Sequence, residues 1–273
     1  MERRNFLKLP LAISGAVLAT SAMGIQPASA ATVRALKGFG YGGKAAADLN
    51  RLKSLNLDWY YGWSAKYPTT PTNFVPMIRD NDYVDTDIAN IKAQLGLTKT
   101  KNLLGFNEPD LASQSNMSVD EVIRLWPKLE ATGLRLGSPS TIKPNAVWMD
   151  SFMTRAQKAG LRVDFVTMHC YQWPNTEDFL RKLDLLHEKW GLPVWVTEYA
   201  VADFSATSLA NNRYTRTDVN TYMKETVQGM RERPWVERFA WKTRAASDPV
   251  MGTSALFDHR GWRTSTGKLY ASL

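Results

Sequence analysis

Two glutamates stand at the ends of apolar, strand-like runs. Glu108 follows Leu103-Leu104-Gly105-Phe106-Asn107 and precedes Pro109-Asp110; Glu198 lies in Val194-Trp195-Val196-Thr197-Glu198-Tyr199. A carboxylate at the tip of a buried strand loses hydration and needs compensating partners, so it rarely sits there without a role. Two such carboxylates acting on one substrate could supply an acid/base and a nucleophile, the pair that glycosidic hydrolysis requires. Singly, each segment also fits a strand running out into a solvated loop; together they favour chemistry.

Other residues could assist that pair. His169 and Tyr171 close a strand-like run and could orient a nucleophile or bind sugar. Trp63, Trp173 and Trp241 fall at or just beyond strand ends, where an aromatic face can stack on a sugar ring. Trp126, Trp148 and Trp190 fall in helical segments and are expected to pack. Asp110 is expected to brace its loop rather than to react. Cys170 is the single cysteine, so no intrachain disulfide can form, and its apolar run suggests a packed residue rather than a nucleophile. His169, His187 and His259 lack metal-ligand spacing, and no metal or cofactor is expected. A G-x-S-x-G elbow is absent, which leaves a serine hydrolase without support.

The elements that must position these residues alternate along the chain. Strand-like segments are expected at 36–40, 57–63, 73–78, 102–106, 134–138, 163–169, 193–197 and 236–241, with Pro76 awkward in the third. Helical spacing is expected over 45–55, 85–95, 118–131, 147–159, 176–190, 219–231 and 268–272. Ser118-Val119-Asp120-Glu121 is a capping-box pattern. Eight strands in about 240 residues is the arithmetic of a single α/β barrel, the (β/α)8 or TIM barrel, whose active sites lie at the C-terminal strand ends. On that count Glu108 ends strand four and Glu198 ends strand seven, where they can face each other across the mouth. The alternative is a doubly wound open sheet, but Gly38-Phe39-Gly40-Tyr41-Gly42-Gly43 lacks the dinucleotide-binding spacing and reads as a tight strand exit.

Residues 1–30 carry an export pattern: Arg3-Arg4, then an apolar stretch from Leu9 to Ala19, then the small-residue site Ala28-Ser29-Ala30. The run Arg3-Arg4-Asn5-Phe6-Leu7-Lys8 resembles a twin-arginine signal. The expectation is therefore a secreted or periplasmic protein whose catalytic domain spans 31–273, with no stable membrane insertion. The net charge of +8 comes with no dense Lys/Arg run or nucleic-acid motif, so nucleic acid is not expected as a partner. A polysaccharide partner and a monomer are expected.

Four strings carry a family resemblance: Trp59-Tyr60-Tyr61-Gly62-Trp63, Gly105 through Asp110, Asp164-Phe165 through His169-Cys170-Tyr171, and Trp195 through Tyr199. They resemble glycoside hydrolase family 128, the alkali-sensitive-linkage type, in order and spacing over nearly the whole mature chain. The resemblance implies endo-acting, retaining β-1,3-glucan hydrolysis, with Glu108 as general acid/base and Glu198 as nucleophile. It makes Asn107 similar to the donor to the sugar 2-hydroxyl; Tyr61, within the first of the strings, is a further candidate beside the substrate. The chain departs from the pattern at Cys170, a position often aromatic, and at the basic strand end Trp241-Lys242-Thr243-Arg244, since charge beside a sugar cleft can select an anionic substrate. The competing reading is a non-catalytic carbohydrate-binding barrel of the cell wall or surface.

Overall fold

The computed structural model describes residues 34–42 and 47–273; the export pattern over 1–30 lies outside the described residues. Strands and helices alternate: β1 (Leu36–Gly40), α1 (Ala47–Ser54), β2 (Trp59–Tyr61), α2 (Val84–Thr98), β3 (Asn102–Leu103), α3 (Val119–Glu130), β4 (Arg135–Leu136), α4 (Val147–Lys158), β5 (Val166–Gln172), α5 (Thr176–Trp190), β6 (Val194–Val201), α6 (Arg216–Arg231), β7 (Val236–Trp241) and α7 (Ser265–Ser272). The strands pair in parallel, in a larger sheet ordered β2-β1-β7-β6-β5 and a smaller one of β3 and β4. Isolated parallel bridges join Tyr60 to Phe74, Met77 to Leu104 and Gly137 to Phe165. The chain is an α/β fold on a parallel sheet.

The strand expected over 73–78 is not formed; Phe74 and Met77 contribute only bridges. Pro76 lies between them with no N–H to donate, and only its carbonyl is used, by the Leu104 amide at 2.9 Å. The expected strand over 163–169 instead spans Val166–Gln172; Asp164 and Phe165 before it pair only locally with the end of β4, the Asp164 carboxylate accepting from the Leu136 amide at 2.7 Å. The expected strand over 193–197 continues to Val201, so Glu198 lies inside β6.

Parallel strands covered on both faces should be apolar throughout. Every residue of β6 is buried. One core packs the sheet against the helices, with Leu129, Phe152, Leu183 and Val227 among its members. A smaller cluster, Trp59, Tyr61, Val75, Met77, Leu104, Phe165, Trp195 and Ala240, draws side chains from several strands to one place. Gly105 permits the close approach of neighbouring strand ends, since a Cβ there would lie 2.8 Å from the Gly137 carbonyl oxygen. Ser118 caps α3 by accepting from the Glu121 amide at 3.2 Å, while the Glu121 carboxylate accepts from Asn81 at 2.6 Å. Asn175 caps α5 by accepting from the Asp178 amide at 2.7 Å, which starts that helix directly after β5.

Candidate active site

The site begins with a register irregularity. In β6, Val196 pairs with Met168 of β5 and Phe239 of β7; the next partners are Glu198 with His169 and Tyr199 with Trp241. One extra residue, Thr197, has entered β6 relative to β5, and the pairing with β7 shifts by one in the same stretch, between Val196 and Tyr199. Such a bulge turns a side chain off the strand's normal alternation. Its displaced backbone is satisfied, because the Thr197 carbonyl accepts from the Tyr61 hydroxyl at 3.0 Å. The bulge sets Glu198 beside His169.

Glu198 is buried among donors. Its Oε1 accepts from Trp63 Nε1 at 2.8 Å and from the Tyr61 hydroxyl at 3.1 Å. Its Oε2 accepts from the Tyr171 hydroxyl and lies 3.7 Å from Lys242 Nζ. Burial alone would push this carboxyl upward; His169, Lys242 and the bonds from Tyr171 and Trp63 outweigh it and hold the group at about 2. Burial and the neighbouring Glu198 charge push the Tyr61 and Tyr171 phenols well above their usual value, so both remain protonated donors.

Glu108 reaches the site from the loop after β3. Its backbone occupies the left-handed region, with φ 45°, as does Trp63 at 49°. A non-glycine residue there costs about 1–3 kcal/mol and persists only when its surroundings hold it. The Glu108 amide donates to the Ser140 carbonyl at 2.6 Å, Asn107 bridges Ser140, and Asp110 accepts from the Ile142 amide at 3.1 Å. Asp110 thus braces the loop. His169, fully buried, stands between the glutamates: Nδ1 lies 2.9 Å from Glu108 Oε1 and Nε2 lies 3.6 Å from Glu198 Oε1.

These groups open onto a cavity of about 430 Å³ whose lining includes Trp63, Asn107, Glu108, Tyr171, Glu198 and Lys242. Asn107 Oδ1 is buried there without a partner, while its amide donates to Gln114 at 3.4 Å. One ligand atom each of Glu108, His169 and Glu198 lies within 4.8 Å of the others. That spacing would admit a cation, but the three hydroxyl and indole donors and the ammonium around Glu198 suit a carboxylate held as a free anion.

The structure brings together Glu108, Glu198, Asn107, His169, Tyr171, Tyr61 and Trp63. Tyr61 is fully buried behind Glu198 rather than open to the cavity. Trp173 is exposed and lines an adjoining cavity that shares Tyr171 and Phe204 with the first. Trp241 is corrected: it is fully buried, edge-on to Tyr199 with its indole donating to the Ser254 carbonyl at 3.0 Å, and offers no face to a sugar. The next residue, Lys242, enters the cavity instead. Cys170 is buried and its thiol is pushed up to about 12 by that burial, so it is a packed residue. Sequence reasoning noted the basic strand end but did not place Lys242 on Glu198, and it missed Arg79, Gln114 and Phe204 altogether. Only the position just past β7 could have marked Lys242.

Residues 38–270 match the family described as "Glycosyl hydrolase catalytic core". Alkali-sensitive linkage protein 1 of Schizosaccharomyces pombe is 25% identical over 227 residues, which are 79% of this chain and 40% of that protein. This chain therefore spans less than half the length of that curated relative. A family 128, subgroup I endo-β-1,3-glucanase from Amycolatopsis mediterranei, solved as a glutamate-to-alanine variant with laminaripentaose, superposes with a TM-score of 0.72 at 30% identity, covering 87% of this chain and 98% of that one. A subgroup III, curdlan-specific exo-β-1,3-glucanase from Blastomyces gilchristii, solved with glucose, gives a TM-score of 0.67 at 25% identity, covering 87% and 98%. The shared fold, and the match running through both glutamate-bearing segments, lead to one conclusion: the chain belongs to the glycosyl hydrolase catalytic core family and to glycoside hydrolase family 128.

Proposed function

We propose that the protein is an exported, retaining endo-β-1,3-glucanase built as a (β/α)8 barrel, with Glu198 as nucleophile and Glu108 as general acid and base. The observation that carries this reading is the close pair, two buried carboxylates at one cavity with His169 between them, hydrogen-bonded to Glu108 at 2.9 Å and 3.6 Å from Glu198. Side-chain atoms within 4.8 Å are compatible with the ~5–5.5 Å carboxyl separation of retaining enzymes. Charge supports the division of roles, since Glu198 is held ionised as a nucleophile must be. Glu108 protonates the glycosidic oxygen while Glu198 attacks the anomeric carbon. The leaving glycan departs, and Glu108 then takes a proton from the water that releases Glu198. The partnerless Asn107 Oδ1 faces the same chemistry and can accept from a sugar hydroxyl.

The β-1,3-glucan substrate is supported by the laminari-oligosaccharides and glucanase activities named for the structural relatives. Endo action follows those from Amycolatopsis mediterranei rather than the exo-acting fungal one. Barrel closure is supported by the three isolated bridges, which continue the parallel pairing between β2 and β3 and between β4 and β5. Export is supported by the Arg3-Arg4 start and the Ala28-Ser29-Ala30 site. Reducing-end release from β-1,3-, β-1,4- and mixed-linkage glucans, with Glu198→Ala as control, tests the function. Release from β-1,3-glucan alone, lost in the variant, is expected; no release from any glucan would refute it.

A further inference from the structure

A lysine in a sugar cleft has two physical uses. It can stand free and bind an anionic group on the glycan, or it can act on the protein's own carboxylates. Lys242 is the first residue past β7, and its amide donates to the Tyr199 carbonyl at 2.9 Å, which ties its backbone to the bulged strand. Its Nζ lies 3.5 Å from the centre of the Trp63 ring and 3.7 Å from Glu198 Oε2. The same Trp63 gives its indole N–H to the other oxygen of Glu198 at 2.8 Å. Ammonium, indole and carboxylate therefore form a closed triangle. The cavity's other two cations also have carboxylates: Arg79 pairs with Asp80 at 2.7 Å and Arg244 meets Asp248 at 3.5 Å.

We propose that Lys242 is a positioning residue for Glu198, its ammonium pinning both the carboxylate and the Trp63 ring that donates to it. The inference rests on Glu198 as nucleophile for its catalytic consequence, but not for the contact itself. The Trp63 ring also packs edge-on against Tyr61, with centroids 5.0 Å apart, so the ammonium closes a cluster already in place. A cation over an indole is worth about 0.5–2 kcal/mol, more when desolvated. The charged and titratable groups facing this pair are Glu108, His169, Tyr61, Tyr171 and Arg244. Both tyrosines stay neutral, and the Lys242 ammonium lies 3.7 Å from the carboxylate. Lys242 itself is lowered, by burial first, and Glu198 and Glu108 work against that lowering. The basic strand end thus serves the nucleophile and leaves the cleft suited to a neutral glycan.

The test compares Lys242→Met, Lys242→Gln and Lys242→Arg. Losing an opposite charge at this distance shifts a carboxyl by about one unit or more. The acid limb of kcat/KM on laminari-oligosaccharides should therefore rise by about one pH unit in Lys242→Met and Lys242→Gln, and Lys242→Arg should restore it. A purely structural lysine would lower activity at all pH values without moving that limb. Thermal midpoints of wild type, Lys242→Gln, Glu198→Gln and the double variant form a substrate-free cycle, which should be non-additive. An unmoved acid limb with additive midpoints overturns the proposal. So does a Lys242→Gln variant unchanged on neutral glucan but weakened on carboxymethylated glucan, because that outcome makes the lysine a substrate anion site. If the wild type cleaves no glucan, the proposed function fails and the midpoint cycle alone decides the positioning role.

Discussion

At the residue scale, the site is a buried carboxylate surrounded by donors. Tyr61, Trp63 and Tyr171 donate to Glu198, with Lys242 nearby. Its folded value of about 2 lies below the ordinary 4.5, so the stability it contributes is fully present above pH 4.5 and lost as pH falls through about 2. That difference corresponds to about 3 kcal/mol. Denaturant unfolding should show wild type losing about that much relative to Glu198→Gln between pH 5 and pH 2; parallel curves would contradict the depression. The roles proposed for the two glutamates give a second prediction. Glu108→Ala should keep activity on an activated β-glucoside better than on glucan, because a good leaving group departs without a proton. Azide, which needs no base, should accelerate that variant and give a β-azide seen by NMR. Rescue of Glu198→Ala with an α-azide would reverse the assignment.

At the element scale, the decisive feature is the extra residue in β6. Without the bulge at Thr197, strict alternation would separate Glu198 from His169. The tight meeting of strand ends at Gly105 gives a prediction here. Gly105→Ala would set a methyl 2.8 Å from the Gly137 carbonyl oxygen, three residues before Glu108. It should cost about 1–3 kcal/mol and lower the thermal midpoint by several degrees, with loss of kcat from the displaced Glu108 loop. Ser118→Ala removes the α3 cap, which does not line the cavity, and should cost about 1 kcal/mol with kcat unchanged. Differential scanning calorimetry beside initial rates separates the two variants.

At the scale of the whole molecule, parallel strands in two sheets gather Trp63, Glu108, Tyr171, Glu198 and Lys242, which span much of the sequence, onto one cavity, with His169 buried between the glutamates. That placement follows from parallel strands ending at the same side of a sheet. Export belongs to this scale too. The pattern over residues 1–30 predicts a secreted chain beginning at Ala31, read by mass spectrometry of culture fluid. Replacing Arg3 and Arg4 with lysine should block export through a twin-arginine route; unchanged export would point to the general secretory route.

Local signals carried the sequence reading a long way. The alternation of strand and helix, the cap at Ser118, the helix over Thr176–Trp190 and the paired glutamates are all written in short-range patterns, because backbone hydrogen bonds and apolar periodicity act over a few residues. Pro76 was a legible warning as well, since its missing N–H is a property of the residue itself. What remained hidden was parity. Trp241 and Lys242 are neighbours, and which of them turns into the cavity depends on the register of β7 against β6. Register is set by pairing between strands about forty residues apart in sequence, and one bulged residue reverses it. The sequence therefore determined which residues could react, while only the tertiary structure decided that Trp241 joins the core, that His169 stands between the glutamates and that Lys242 meets Glu198.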